Sequence, residues 1–282
     1  MHSQRFLTKI NYVIQRRSRT LETYMTISVA LFVLLFARPF GVGTPERDSY
    51  ISHLVKGDEL YHSFDNQGAL TEYKKAYDIA PDSFATLKRM ISIYGDMGRL
   101  RLHKDTSSES CYRQALVYAD TLVARFPGRA ESHFWLALSQ GSLIPFVGTK
   151  EKIHIAHSVQ EEAKRAIEID SDFALAYVVL GIFQREASKI SWFERLIANV
   201  VFGADFSGSL EASESYLRKS VTLDPSNSYG YFELYWTYKA MKNPDQAVLS
   251  LKKLMAIPPT NAREQLQMDE AKRQLALVDG NP

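Results

Sequence analysis

An all-α solenoid is the fold class that this 282-residue chain predicts, and three observations lead to it. Turn-forming triplets recur, each after an apolar helix ending and before a new helical segment: Ala80-Pro81-Asp82, Phe126-Pro127-Gly128, Asp170-Ser171-Asp172, Asp224-Pro225-Ser226 and Pro258-Pro259-Thr260. Between the turns, small residues stand at helical spacing beside aromatics, as paired helices require where their backbones approach. The whole unit then repeats, and one helix pair can bury its apolar stripe only against the next pair.

The N-terminal segment comes first. Met25 to Ala37 is an uncharged, mainly apolar run of 13 residues behind Arg5, Lys9, Arg16, Arg17 and Arg19. A straight bilayer-spanning helix needs about 20 residues, which Tyr24 to Gly43 supplies if Arg38 snorkels. The basic leader is bacterial in style. With no Ala-x-Ala site and no following Cys, it reads as an uncleaved anchor, membrane-bound through residues 24–43. The repeats are then expected on the non-cytoplasmic, periplasmic side, or exported; the alternative is a buried N-terminal helix and a cytoplasmic protein. Residues 1–43 are thus a leader plus signal or anchor segment, and residues 44–282 one repeat domain.

The repeats follow in order. Gly57, Leu60, Ala69, Tyr73, Ala76 and Pro81 form a first unit that fits the tetratricopeptide pattern of about 34 residues. Leu87, Tyr94, Ala115 and Ala119 sketch a second, Leu136, Ala137, Ala163 and Ala166 a third, and Tyr177, Leu180 and Gly181 open a fourth. The last unit has Tyr231, Leu234, Tyr235 and Tyr238 on its first helix, Ala247 and Leu251 on its second, and Pro259, 34 residues after Pro225, as its stop. About five helix pairs result. The middle three units run 46, 44 and 54 residues from turn to turn, so they carry insertions, read as Gly98 to Glu109, Gly141 to Lys152 and Ile190 to Ser209. In the third, Trp192, Phe193, Leu196, Ile197, Val200 and Val201 recur at helical spacing and predict an inserted amphipathic helix.

Charge narrows the partners. Residues 1–43 hold six of the 34 Lys and Arg and one of the 32 Asp and Glu, leaving 28 against 31, a net charge of −3, for the repeats. No basic stripe argues for nucleic acid. Catalysis has no foothold either: there is no Gly-rich phosphate loop, His-Glu-x-x-His or nucleophile elbow, so no enzyme and no cofactor is expected. His154, His157 and Glu161 share one helix face, a weak metal signal that a solvated face explains better. Cys111, the single cysteine, reads as a packed core thiol.

The stronger signal is on the concave face, which the first helix of each pair lines. The register of the last unit, carried backwards, puts Phe134 and Leu138, then Val178 and Ile182, then Tyr229, Phe232 and Trp236 on that face, with Arg185 and Lys239 near its edge. In the first two units the same places hold Asp58, Lys88 and Ser92 beside Ile51, Leu54 and Ala85. Apolarity therefore concentrates in the C-terminal half, where an open groove would take an apolar ligand or partner segment. Either the helix around Trp192 walls or lids that groove, or this helix or the final segment Ala262 to Val278 fills it.

The stretch Ile190-Ser191-Trp192-Phe193-Glu194-Arg195-Leu196-Ile197-Ala198, followed by Phe202-Gly203, Tyr216-Leu217-Arg218-Lys219 and Leu223-Asp224-Pro225, resembles the regulator of microtubule dynamics family of tetratricopeptide proteins. Upstream, Glu131 to Ala137 resembles the family's Ser-His-x-Trp-Tyr-Ala stretch, and Lys150 to Ala156 its Lys-x-Lys-Ile-x-x-Ala. The resemblance covers roughly Asp105 to Leu277 and lies in the insertions, where a generic repeat protein has no reason to match. It implies membrane-anchored adaptors, some linked to microtubules, one to organelle contacts and phospholipid binding. Two roles stand side by side at this point. One is a non-catalytic interaction protein that holds a protein segment, a phospholipid or another apolar ligand in its C-terminal groove. The other is a scaffold with a self-filled groove that binds partners on its outer or insertion surface.

Overall fold

The computed structural model describes residues 44–100, 106–190 and 207–278, and among them it is helical throughout, with no strand. The helices are α1 (Thr44–His62), α2 (Asn66–Ile79), α3 (Phe84–Leu100), α4 (Thr106–Arg125), α5 (Ala130–Leu143), α6 (Thr149–Ile169), α7 (Ala174–Ala187), α8 (Leu210–Leu223), α9 (Ser228–Ala240), α10 (Pro244–Met255) and α11 (Ala262–Val278). They form five antiparallel pairs, α1/α2, α3/α4, α5/α6, α7/α8 and α9/α10, with α11 left over. The expected tetratricopeptide-like solenoid is what forms. Residues 24–43 and the expected helix around Trp192 lie outside the described residues, and no described helix is long and apolar enough to cross a membrane.

Local signals set the helix ends. After α2, α6 and α8, the N–H groups of Ala80, Asp170 and Asp224 bond back to the carbonyls of Ala76, Ala166 and Ser220 (2.9 to 3.0 Å), and the predicted turns follow. Asp65, Ser209, Asn227 and Asn243 cap the N-termini of α2, α8, α9 and α10 by accepting from the backbone N–H three residues on. The two units that fit the plain pattern also share a turn. Phe64 (φ 66°) and Lys242 (φ 57°) follow the first helix of their pair in the left-handed region, where the chain reverses before a capping residue.

Small residues set the approach of the paired helices. A Cβ on Gly57 would stand 2.4 Å from the Tyr73 ring, one on Gly98 2.8 Å from Tyr112, and one on Gly181 2.5 Å from Leu217. The same device, a glycine on the first helix under a large side chain of the second, thus recurs in pairs one, two and four. Ala69, Ala76, Ala119, Ala163 and Ala166 are fully buried beside these contacts, and Cys111 is buried in the core as expected. Apolar clusters then run through successive pairs, from Leu54, Tyr73 and Met90 through Leu122, Phe134 and Val179 to Leu217, Leu234 and Leu251.

The inserted lengths are not plain loops. From α2 to α10, α3, α4 and α6 have 17, 20 and 21 residues, whereas the other helices have 12 to 14. Gly98 to Leu100 and Thr106 to Glu109 extend α3 and α4. Gly141 to Lys152 forms the end of α5, a 3-10 turn over Ile144–Phe146 and the start of α6. The reason is periodicity: Ile153, Ala156 and Val159 continue the apolar stripe of α6 towards its N-terminus, so helix rather than loop buries them.

Polar staples add to the apolar stacking. Glu72 on α2 accepts from Lys75 (2.9 Å), and His53 Nδ1 on α1 lies 2.7 Å from it, with Lys56 3.4 Å away. The hydrogen bonds from Lys75 and then His53 hold the Glu72 carboxyl down at about 2, against an ordinary 4.5. A depressed carboxyl stabilises the fold fully above its unfolded value and ceases to do so as pH falls through its folded one. Wild type should therefore melt above a Glu72→Gln variant at pH 7, and the gap should close between pH 4.5 and about 2 in a series of thermal melts. A gap that stays constant over that range would dissociate the effect from Glu72 ionisation. In the third pair His133 has both ring nitrogens engaged, Nδ1 with Glu162 (2.6 Å) and Nε2 with the Pro127 carbonyl (2.8 Å). It ties α5 to α6 and to the preceding turn.

Candidate functional site

The residues expected along one concave groove divide into three environments. Phe134 and Val178 are buried core residues, the first packed edge-on against Trp135 and Phe173. Leu138, Ile182 and Tyr229 line a cavity of about 470 Å³ that opens beside α5, α6 and α7. Phe232 and Trp236 pack half-buried on the C-terminal core, ring to ring at 6.1 Å, and Trp236 and Lys239 border a separate recess of about 400 Å³. Trp192 lies outside the described residues.

The two basic residues expected at the rim are already committed. Arg185 is 7 % exposed. Its guanidinium donates to Glu233 Oε2 (2.6 Å), to the Glu233 carbonyl (3.0 Å) and to Thr237 Oγ1 (3.4 Å). Burial works against its charge, but the Glu233 carboxylate outweighs this and raises its pKa further. A guanidinium enclosed in this way crosses between α7 and α9 and is not offered to a ligand. Lys239 reaches Tyr235 Oη (3.1 Å) and Gln274 Oε1 (3.2 Å) and lies 5.0 Å above the Trp236 ring.

The inserted lengths supply part of the wall of the 470 Å³ cavity. Gly141, Ser142, Ile144, Pro145, Thr149 and Lys152 all come from the second insertion, and Arg99 from the first. Its deep wall is apolar, with Leu138, Ile153, Ala156, Val159 and Ile182. Its ionisable groups are Arg99, Lys152, Glu186 and Tyr229. Glu186 is matched by Lys189 (2.8 Å) and Arg185 (3.2 Å), whereas Arg99 has no carboxylate partner among the described residues. Burial, and then the charge of Glu233, push the Tyr229 phenol up to about 12, so it stays a neutral donor near neutral pH. The site therefore offers an apolar wall together with two cations, Arg99 and Lys152, and one ion-paired carboxylate. His154 and His157 lie further along α6, where Glu161 is paired with Lys164 (2.9 Å).

A polar cluster on the concave side was not anticipated. Arg263 Nε on α11 lies 2.7 Å from Asp96 Oδ1 on α3, Tyr61 of α1 donates to Asp96 Oδ2 (2.5 Å), and His62 Nδ1 lies 2.8 Å from the Thr260 carbonyl. Burial opposes the charge of Arg263, but Asp96 more than offsets this and raises its pKa. The final segment thus runs from the fifth pair back to the first two, and α11 packs on α10, α9 and α3. No spacing signal links positions 96 and 263; only the path of α11 brings them together.

A family model described as "Regulator of microtubule dynamics protein 1-3" matches residues 53–279. Regulator of microtubule dynamics protein 1 of Bos taurus is 26 % identical over 263 residues, covering 92 % of this chain and 80 % of its own length. Regulator of microtubule dynamics protein 2 of Mus musculus is 24 % identical over 230 residues, covering 79 % and 55 %. Among solved structures, a thermophilic TPR protein of Thermus thermophilus aligns with a TM-score of 0.57 at 17 % identity, over 79 % of this chain and 98 % of its own, a likeness of fold alone. These relatives correct the expected location. They are regulator of microtubule dynamics proteins and not periplasmic membrane proteins, so the anchored, periplasmic placement read from the basic leader is withdrawn, and nothing in them favours a cytoplasmic one.

Proposed function

This chain belongs to the regulator of microtubule dynamics protein 1-3 family, and from that premise we propose that it is a helical-repeat interaction protein which seats the apolar part of an amphipathic ligand in the cavity beside α5, α6 and α7. The interaction role comes with the family and the tetratricopeptide fold. The cavity supports the finer reading, because about 470 Å³ is within the roughly 300–1,000 Å³ range of small-ligand sites. An apolar tail would lie against Leu138, Ile153, Ala156 and Ile182, and an anionic end would meet Arg99 and Lys152. Arg185, expected near the edge of the groove, is neutralised by Glu233, so Arg99 takes the anionic end in this reading. The relatives' name refers to microtubules. The repeats of this chain are net acidic, without the basic excess that an acidic filament would attract, so the reading rests on the cavity.

Ala156 lines the cavity on a partly exposed stretch of α6, so Ala156→Phe fills space without overpacking the buried core. A fatty acid with a fluorescent acyl chain, titrated into the full chain, should bind wild type at least tenfold more tightly than this variant. Equal affinity for the two proteins, with helical content unchanged, would remove the cavity from the binding event. Arg99→Gln should weaken the same probe and leave an uncharged analogue of equal chain length unaffected.

A further inference from the structure

The final helix buries few apolar side chains. Of its 17 residues, Ala262, Met268 and Ala271 are the buried apolar ones, Leu275 packs half-buried on the C-terminal core, and Leu277 and Val278 are each 60 % exposed. Its fixed points on other helices are polar: Arg263 on Asp96, and Gln274 Oε1 accepting from Tyr235 Oη (2.6 Å) and Lys239 Nζ (3.2 Å). Between them Gln267 is 3 % exposed, and neither atom of its amide has a hydrogen-bond partner among the described residues. A buried amide without partners opposes docking, because water would satisfy both atoms once the helix lifted away. Pro258 and Pro259 stand between α10 and α11 and stop helix from running through, so α11 can move as a separate piece.

We propose that α11 is a releasable strap on the concave face, and that a partner-protein helix bearing an arginine or lysine takes its place against Asp96. The chemistry of the partner follows from the group left behind. Asp96 is 1 % exposed and is held by Tyr61 and Arg263. If Arg263 departs without a substitute, Tyr61 is the one group still hydrogen-bonded to this carboxylate among the described residues, and a displacing helix that brings a cation restores the ion pair. The inference uses the protein-interaction role alone, although Arg99 and Leu138 line both the recess beside Asp96 and the α5–α6–α7 cavity.

The test uses the full chain and a fluorescently labelled peptide of residues 259–278 as the probe. Arg263→Glu places two like charges together, weakens the resident strap and leaves the site intact. This variant should bind the peptide at least tenfold more tightly than wild type, and adding Asp96→Asn should abolish that binding. If Arg263→Glu loses its helical signal, or stays folded and binds no peptide, α11 is an integral part of the fold and the proposal is overturned. Dimerisation of Arg263→Glu by exchange of α11, seen by native mass spectrometry, would assign the site to a second copy and also overturn it. Hydrogen exchange in wild type supplies a check without substitution. Amides of Gln265 to Met268, away from the frayed end, should exchange at least tenfold faster than those of Leu251 and Leu254 in α10; equal rates would overturn the proposal.

Discussion

Arg185→Ala is expected to destabilise the chain by about 3–5 kcal/mol, measured as the change in unfolding free energy in urea. The pair it breaks joins α7 to α9, and both side chains are nearly enclosed, at 9 % and 10 % exposure. Removing the guanidinium leaves the Glu233 carboxylate without its counter-charge. It also leaves the Glu233 carbonyl without its side-chain donor, and Thr237 Oγ1 with only Ser213 Oγ at 3.0 Å. The cost is thus the desolvated charge left behind rather than the attraction lost. For that reason the double variant Arg185→Met, Glu233→Gln should recover most of the stability, since both charges leave together. A single-variant cost below about 1 kcal/mol would mean that water reaches Glu233 and that the pair behaves as a surface one.

Alanine scanning of the glycines should give opposite signs at two helical positions. Gly181→Ala is expected to cost about 1–3 kcal/mol, because its Cβ would stand 2.5 Å from Cγ of Leu217, which is fully buried and has nowhere to withdraw. Gly95→Ala, in α3, meets nothing within 4 Å and should stabilise by up to about 1 kcal/mol through helix propensity. Pairing Gly181→Ala with Leu217→Ala should be less harmful than the sum of the two single changes, since the cavity left by Leu217 accepts the new methyl. Thermal or urea unfolding of the four proteins checks this, and equal effects at positions 95 and 181 would contradict the close α7–α8 contact.

Much of the fold was legible because repeats make local signals cumulative. The Pro81, Pro127 and Pro225 turns, the glycines at 57 and 181 and the small-residue positions from Ala69 to Ala247 each report a short-range need: a chain reversal or a close backbone approach. The site was legible only in part. Leu138, Ile182 and Tyr229 were placed on a common lining by helical register, and they do share one cavity. Phe134 and Val178, one turn away on the same helices, turned inward, because the neighbouring pair covers them and register does not say how far its cover extends. Arg185 misled for a related reason. A cation at the edge of a helix face looks free until the helix opposite is known to carry Glu233.

By itself the sequence determined the class and the units of this protein: helices, five pairs, their turns, their buried small residues, and the fact that the middle units carry extra length. These follow from interactions spanning a few residues or one helix pair, which the spacing of residue types encodes directly. The tertiary structure alone decided that the extra length extends α3, α4 and α6, that Arg99 and the second insertion help to wall a cavity, that Arg185 is neutralised by Glu233, and that α11 returns to set Arg263 on Asp96. Those outcomes depend on contacts 48 and 167 positions apart in the chain. Their energies arise from which surfaces meet and what is desolvated between them, and no periodic pattern carries that information.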